Sequence, residues 1–465
     1  MKGQVTAPAG LATAIGQLSE YAAALSWDAQ RPEVHDAVRR VLRDSLAVLI
    51  AGGRLAEARR RRAALPLSDG PATIFGAART TGVCDAAWLN GCSLVGLELD
   101  EGNKTIRGHA TAHVLPAVLA LAEAGHLPGA SMAEAFLVGH EVASRFGRAV
   151  VLHAGVHPHG NWGVAGAAAA AAHIAGADGR AMAAAIDAAG ALALATPFDV
   201  ALAGLPVRDA WIGQANVSGI RAWAAADAAR GATGVAAVSL GRLLGTLDPA
   251  PLVADLGQSL AVTSGYMKRH ASCSYTHPPA DAALGVHAVN GPVRAGDVSG
   301  ITVETHRLAA GLDGTEWPSR LAAMFSVPYV VATALREGRC TPAEFDEEHR
   351  ADPALRALAA KVRVVHDPAL DARLPAERVA RLRVAWTDGR EQLVEFPNPV
   401  GDAEYQPLSE ADLEAKAAAL LRDPFTARRV RELSDALVAA PDVVPVLSSL
   451  REIAAASTEE SPCCA

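Results

Sequence analysis

The segment LELDEGNKTIRGHATAHVLP, residues 97–116, concentrates side chains that can move protons. Three acids, two bases and two histidines lie between Glu98 and His113. His109 and His113 are four residues apart and would share one helical face, which is the spacing of two zinc ligands. No Glu follows His109 and no third ligand is indicated, so an acid–base role is favoured over a metal site. A hydrogen-bonded structural role for these histidines stays open.

The segment HAGVHPHGNWGVAGAAAAAA, residues 153–172, combines three histidines with a glycine-rich turn at 160–163. The turn leads into a predicted helix whose first backbone amides would be unpaired, which favours the binding of a carboxylate or another anion. His157 is the histidine that we expect to move a proton beside such an anion. His153 and His159 are interpreted as surface or packing residues.

The segment YMKRHASCSYTHPPADA, residues 266–282, is rich in cations and hydrogen-bond donors. Lys268 and Arg269 could hold carboxylates, Arg269 in bidentate fashion. Tyr275 and His277 add a hydroxyl and an imidazole donor. The segment lies where the sequence pattern changes, so ion pairs between two domains are the alternative reading.

The elements around these segments must position them. From Ser19 to about Thr263, apolar residues recur at three- and four-residue spacing between Gly and Pro, which predicts a series of helices. The clearest predicted helices cover residues 33–51, 85–97, 114–124, 132–152, 165–174 and 180–195. The run of alanines at 167–172 predicts close helix–helix contact. The first segment joins two of these helices and is predicted to be a loop, where catalytic groups usually sit.

After Tyr266 the pattern is mixed. Residues 298–304 and 379–386 alternate like half-buried strands, and an Asp-Gly turn joins the second of them to 392–396 as a hairpin. Residues 319–338 and 352–361 are predicted to be helical, and a helical pattern returns from Ser409.

The predicted fold is mainly α, with a large all-helical domain built from both chain ends and a smaller α+β lid domain. With 465 residues, 51% of them hydrophobic, the chain is longer than one core usually serves. The predicted limits are 1–267 for the first part of the helical domain, 268–404 for the lid, 405–456 for the return segment and 457–465 for a disordered tail.

Composition excludes several classes of function. The net charge is -8, and no basic run is dense enough for nucleic acid. No signal-peptide pattern opens the chain, and the uncharged stretch 149–177 holds too many His, Gly and weakly apolar Ala residues to span a membrane. Six cysteines fit neither a disulfide framework nor a metal or iron–sulfur site. We therefore expect a cytoplasmic protein with reduced thiols, Cys273 being a packing residue.

The three segments, in this order, resemble the MmgE/PrpD family, which includes 2-methylcitrate dehydratase, cis-aconitate decarboxylase and iminodisuccinate epimerase. GHEVASRFGRA, MFSVPYVVATALREG and DPALRALAAKVRVVHDP extend the likeness over most of the chain. The resemblance implies a helical domain with an α+β lid, a cleft between them, a homodimer, and no nucleotide or flavin cofactor. It also implies substrates with two or three carboxylates and proton abstraction next to a carboxylate.

The resemblance carries over single residues. His109 matches the family's histidine after the acidic loop, and His157 matches the histidine of the glycine-rich turn. Lys268 and His277 match the motif that opens the lid, and Tyr329 matches the tyrosine of a lid helix. These five residues are the predicted catalytic set.

The chain also departs from the family pattern. Where dehydratases and decarboxylases typically show Asp-Phe-Asp-Asp-Thr, residues 98–102 read Glu-Leu-Asp-Glu-Gly, without the threonine. LPVRDAWIGQAN offers Arg208 and Trp211 where Lys followed closely by His is usual, and Ala110 replaces a Pro. We expect these changes to alter substrate contacts.

In the predicted mechanism, His109 or His157 removes the proton and Tyr329 or His277 protonates the leaving group or the opposite face. The predicted substrate-binding residues, some of which orient His109, are Glu98, Asp100, Asn103, Lys104, Arg208, Arg269 and Tyr275. The favoured function is a cofactor-independent, dehydratase-like lyase of a small di- or tricarboxylate. An epimerase or isomerase, a decarboxylase, a zinc enzyme and a non-catalytic binding protein are the alternatives.

Overall fold

The computed structural model describes residues 10–229 and 234–456. The predicted disordered tail, with Cys463 and Cys464, lies outside the described residues. The protein is 59% helical, and the chain before residue 254 consists mainly of helices. Their bounds are α1 Leu11–Ala23, α2 Pro32–Gly53, α3 Ala56–Ala63, α4 Val83–Val95, α5 Ala110–Ala124, α6 Gly129–Ala149, α7 Val164–Ile174, α8 Gly179–Ala191, α9 Phe198–Leu202, α10 Asp209–Ala229, α11 Val235–Val238 and α12 Ala250–Val253.

Helix α7 lies at the centre of this helical body, against α5, α6, α8 and α10. All residues from Val164 to Ala172 are buried, and the neighbouring helices approach to backbone contact. A Cβ added to Gly166 would lie 2.4 Å from the carbonyl oxygen of Gly139 in α6, and one on Gly219 of α10 would lie 2.2 Å from Cβ of Ala167. The alanine run therefore serves tight helix packing, as predicted.

Two short antiparallel ribbons interrupt the helical body. β1 Ala72–Thr73 pairs with β2 Thr80–Thr81, and β3 Val150–Leu152 pairs with β4 Gly245–Leu247. The sequence predicted a helix through Leu152, but α6 ends at Ala149. The β-branched residues Val150 and Val151 favour extended backbone once they have a strand to pair with.

The α+β part follows the helical body. It contains β5 Val298–Thr305, β6 Val362–His366, β7 Ala380–Trp386 and β8 Glu391–Phe396, with helices α13 His277–Asn290, α14 Arg307–Ala310, α15 Arg320–Met324, α16 Val327–Glu337, α17 Glu347–Ala351, α18 Pro353–Ala359 and α19 Pro368–Asp371. The strand order is β6-β5-β7-β8, with β5 parallel to β6 and antiparallel to β7. Helix α13 packs on β7 and β8, and α16 packs on α13 and β6.

The C-terminal helices return to the first helical body. They are α20 Glu410–Leu421, α21 Pro424–Ala439 and α22 Val444–Ala456, and they pack on α2 and α6. Lys416 of α20 pairs with Asp44 of α2 at 2.7 Å and donates to the carbonyl oxygen of Leu99 at 3.1 Å. The helical body thus includes the first and the last helices of the described chain, which confirms the predicted fold class. Across the described ranges, no helix is both long and apolar enough to cross a membrane.

Candidate active site

The loop between α4 and α5 forms one wall of the candidate site and is joined to the start of the α+β part. Gly102 and Tyr266 exchange two backbone hydrogen bonds, at 3.0 and 2.7 Å. A Cβ on Gly102 would lie 2.8 Å from Cε1 of Tyr266, so a residue without a side chain permits this approach. The first and third segments singled out in the sequence therefore lie side by side.

His109 ends this loop and forms a pair with Asp100. Its Nδ1 lies 2.8 Å from the carbonyl oxygen of Glu101 and 3.0 Å from Oδ2 of Asp100. Because a carbonyl oxygen only accepts, Nδ1 carries a proton, and a neutral His109 therefore has its lone pair on Nε2. Burial opposes ionisation of Asp100, but His109 and Lys268 outweigh it and hold the pKa of this carboxyl well below its usual range. The Nδ1–H of His109 thus donates to the carbonyl oxygen of Glu101 beside the Asp100 carboxylate, and among the described residues nothing bonds to its Nε2.

A buried ion-pair network lies behind His109. Glu98 Oε1 contacts Nη2 of Arg208, and its Oε2 lies 3.0 Å from Nζ of Lys268, which is 3.5 Å from Oδ1 of Asp100. Arg208 and Lys268 are both fully buried. Of the cations predicted to hold substrate carboxylates, Arg208 and Lys268 are thus paired with the protein's own acids.

His157 lies just before the glycine-rich turn, and its tautomer is the opposite of that inferred for His109. The backbone amide of His159 donates to Nδ1 of His157 at 3.2 Å, so a neutral His157 carries its proton on Nε2. Burial, followed by the nearby histidines, lowers the pKa of His157 to about 3. Its ring lies 5.1 Å from that of Phe198 and 5.3 Å from that of Trp211. His157 is therefore suited to donate a hydrogen bond beside a base.

His113 connects the two histidine segments. Its Nδ1 donates to the carbonyl oxygen of His109 at 2.8 Å, and its Nε2 accepts from the amide of Gly160 at 3.1 Å. A Cβ on Gly163 would lie 2.3 Å from the ring. Both nitrogens of His113 are occupied by the backbone, so the pair His109 and His113 is not arranged to share a zinc ion. His113 is a positioning residue between the loop and the turn.

Lowering the pH from about 7 to about 5 is expected to destabilise the protein in part through His113. Burial lowers the pKa of His113 from 6.5 to about 4. Between these values the unfolded chain binds the proton and the folded chain does not, so the free energy of unfolding falls as the pH falls. The expected loss from this residue is about 2 kcal/mol.

Urea denaturation at a series of pH values would measure this loss. His113→Gln should flatten the dependence of the unfolding free energy on pH, whatever its own stability at pH 7. His126→Gln, which changes an exposed histidine, is the matched control and should leave the slope near that of the wild type. An unchanged slope in His113→Gln would contradict the assignment of a neutral buried imidazole.

A cavity of about 410 Å³ lies between the helical body and the α+β part. The body side contributes Glu98, Arg107, His109, His157 and His159, among others, and the other side contributes Cys273, Ser274, Tyr275, Arg307 and Phe325. Burial raises the pKa of the Tyr275 hydroxyl, which keeps it a proton donor. Burial likewise raises the pKa of the Cys273 thiol, as expected for a packing residue rather than a nucleophile.

Lys268 is not among the residues that line the cavity, and two further residues of the predicted catalytic set, Tyr329 and His277, also lie away from it. The hydroxyl of Tyr329 donates to the carbonyl oxygen of Glu344 at 2.6 Å, and its ring packs on Trp317. His277 is fully buried, and its Nε2 donates to the carbonyl oxygen of Ser272 at 3.1 Å. This arrangement does not favour direct contact of either residue with a substrate.

Three predicted substrate-binding residues also point elsewhere. Lys104 pairs with Asp402 at 3.1 Å and Glu404 at 2.9 Å, and the side-chain oxygen of Asn103 accepts from the amide of Thr105. Arg269 is half exposed, and its nearest acid is Asp281 at 3.7 Å. Lys104 and Asn103 fix the loop instead. The sequence could not show this, because it does not reveal which acids lie within reach of a cation.

The cavity also includes residues that the sequence analysis did not select. His159 was interpreted as a packing residue, yet its ring centre lies 5.2 Å from that of His109 and 4.4 Å from that of His157. Arg107 was not considered, although it stands two residues before His109. Its position two residues before a predicted base was the feature of the sequence that could have identified it.

Comparisons with known proteins agree with the resemblance drawn from the sequence. Residues 16–248 match the family model of the MmgE/PrpD N-terminal domain, and residues 270–439 match that of the MmgE/PrpD C-terminal domain. The 2-methylcitrate dehydratase of Cupriavidus necator is 35% identical over 112 residues. That similarity spans 22% of this chain and 23% of the relative.

Proposed function

The chain belongs to the MmgE/PrpD family, and on that premise we propose that it is a dehydratase-like lyase of a small di- or tricarboxylate that needs no cofactor. The observation that carries this proposal is the pair of His109 and Asp100 at a cavity of substrate size, with no described residue bonded to Nε2 of His109. The partial likeness to a 2-methylcitrate dehydratase supports the same reaction class.

The proposed reaction begins with removal of a proton from the carbon next to a carboxylate. Nε2 of His109 takes the proton, and Asp100 stabilises the imidazolium that forms, as carboxylate–histidine pairs do. A positioned base contributes about 10²–10⁴-fold to such a step. His157 donates through Nε2 to the developing enediolate, because a neutral donor can stabilise charge as it appears.

Loss of the β-hydroxyl group completes the elimination. The C–O bond breaks as the carbon–carbon double bond forms, and the departing hydroxide needs a proton to leave as water. Tyr275 lines the α+β side of the cavity, and the raised pKa of its hydroxyl keeps it protonated. We assign it the role of general acid.

An epimerase is the second candidate, and the same arrangement favours it. His109 and Tyr275 come from the two sides of the cavity, so a proton removed by one could be replaced by the other on the opposite face. The shared intermediate also permits decarboxylation, which would release CO₂ from it. The homodimer implied by the family resemblance stays a prediction that sedimentation would test.

Incubation with a panel of hydroxy di- and tricarboxylates in deuterium oxide tests the proposal. We expect new ultraviolet absorbance from a conjugated double bond, with a matching alkene signal by NMR. Deuterium uptake with inversion and no alkene would favour the epimerase. A protein that neither turns over nor exchanges protons with any of these acids would contradict both candidates.

A further inference from the structure

Arg107 is a cation of the cavity wall whose side chain has no acid partner among the described residues. Its side chain is exposed and lines the cavity. Within residues 10–229 and 234–456, it takes part in no side-chain hydrogen bond or ion pair, whereas Arg208 and Lys268 are both paired with Glu98. A substrate carboxylate could therefore reach Arg107 without displacing an acid of the protein.

The backbone around Arg107 is fixed on both sides. Ile106 is buried, and a Cβ on Gly108 would lie 2.4 Å from the Trp162 ring. The amide of Asn103 donates to the carbonyl oxygen of Gly108 at 2.9 Å, which closes the loop. Arg107 itself has a φ of 51°, a left-handed conformation that non-glycine residues rarely adopt. The fold holds this strained residue in place, although its side chain stabilises nothing within the described chain.

Arg307 occupies a comparable place on the other side of the cavity. Its side chain is more than half exposed, and the carboxylate oxygen of Asp371 is 3.7 Å from its guanidinium. That distance exceeds the usual length of a charge-assisted hydrogen bond, so Arg307 also retains capacity to bind an anion. The two arginines approach the cavity from the helical body and from the α+β part.

We propose that Arg107 binds the substrate carboxylate that is remote from the reacting carbon and so selects di- and tricarboxylates over monocarboxylates. The inference rests on the proposed function, because His109, two residues further on, acts at the reacting carbon. Arginine suits the task because its planar fork can hold both oxygens of a carboxylate. Arg307 adds a contact from the opposite side.

Arg107→Gln should raise KM for a dicarboxylate by about 10–100-fold, the worth of a hydrogen bond to a charged group. The value of kcat should change little, because binding lost equally in the ground and transition states affects KM alone. The kcat/KM of a matching monocarboxylate should stay constant. Arg107→Lys should restore part of the affinity. Arg363→Gln, an exposed arginine of β6 outside the cavity, is the matched control.

Calorimetric binding of the same acids separates this inference from the proposed function. If the wild type turns the acid over and Arg107→Gln has the same KM, the role of Arg107 is wrong and the lyase proposal is retained. If the wild type binds dicarboxylates through Arg107 but turns none of them over, the lyase proposal is wrong and the binding role of Arg107 is retained. A wild type that binds no carboxylate would overturn both.

Discussion

Replacing His109 by Gln is expected to lower kcat by about 10²–10⁴-fold, since that range is the usual contribution of a positioned general base. Glutamine keeps polar atoms near Asp100 but offers no nitrogen that can accept a proton at neutral pH. KM should change little, because His109 contributes mainly in the transition state. Single-turnover kinetics on the substrate identified in the panel, together with proton exchange in deuterium oxide, would measure the loss at the abstraction step.

His153→Gln is the matched control for this variant. His153 is exposed and lines the same cavity, and its ring has a long contact of 3.3 Å to the carbonyl oxygen of Arg242. Its replacement should leave kcat close to that of the wild type. If His109→Gln kept wild-type kcat while His157→Gln lost it, the base would be His157 and the tautomers inferred above would be wrong.

The helices and most strands could be predicted because their periodicity is local. The predicted helix 165–174 appears as Val164–Ile174, and the predicted strand 379–386 appears as Ala380–Trp386. Strand β6, Val362–His366, was not predicted. Its parallel pairing with β5 joins segments about sixty residues apart, and such pairing follows from tertiary contacts rather than from the local pattern.

The candidate site was predictable in its residue types but not in its pairings. The sequence indicated that Glu98, His109 and His157 would face a common cleft, and all three line the cavity. It did not show that Arg208, 110 residues after Glu98, would be paired with that acid. Charge and spacing identify residues that can bind an anion, and packing decides which of them are already paired.

Lys268→Met is expected to destabilise the protein by about 3–5 kcal/mol, the usual effect of removing one partner from a buried ion pair. Lys268 is fully buried between Glu98 and Asp100. Its removal leaves two buried carboxylates to share the remaining contacts with Arg208 and His109. Urea denaturation would measure the change in unfolding free energy. Lys361→Met, which removes a half-buried lysine bonded to a single carbonyl oxygen, should cost less, about 1.5–3 kcal/mol.

A double variant distinguishes a structural ion pair from a substrate contact at Lys268. Glu98→Gln alone leaves Arg208 with Asp209 as its acid, and should also destabilise the protein. If the two residues act as one buried pair, Lys268→Met with Glu98→Gln should cost less than the sum of the single changes by about 0.5–3 kcal/mol. Additive losses of stability, with a raised KM in the folded Lys268→Met variant, would instead mean that Lys268 holds a substrate carboxylate, as the sequence alone had predicted.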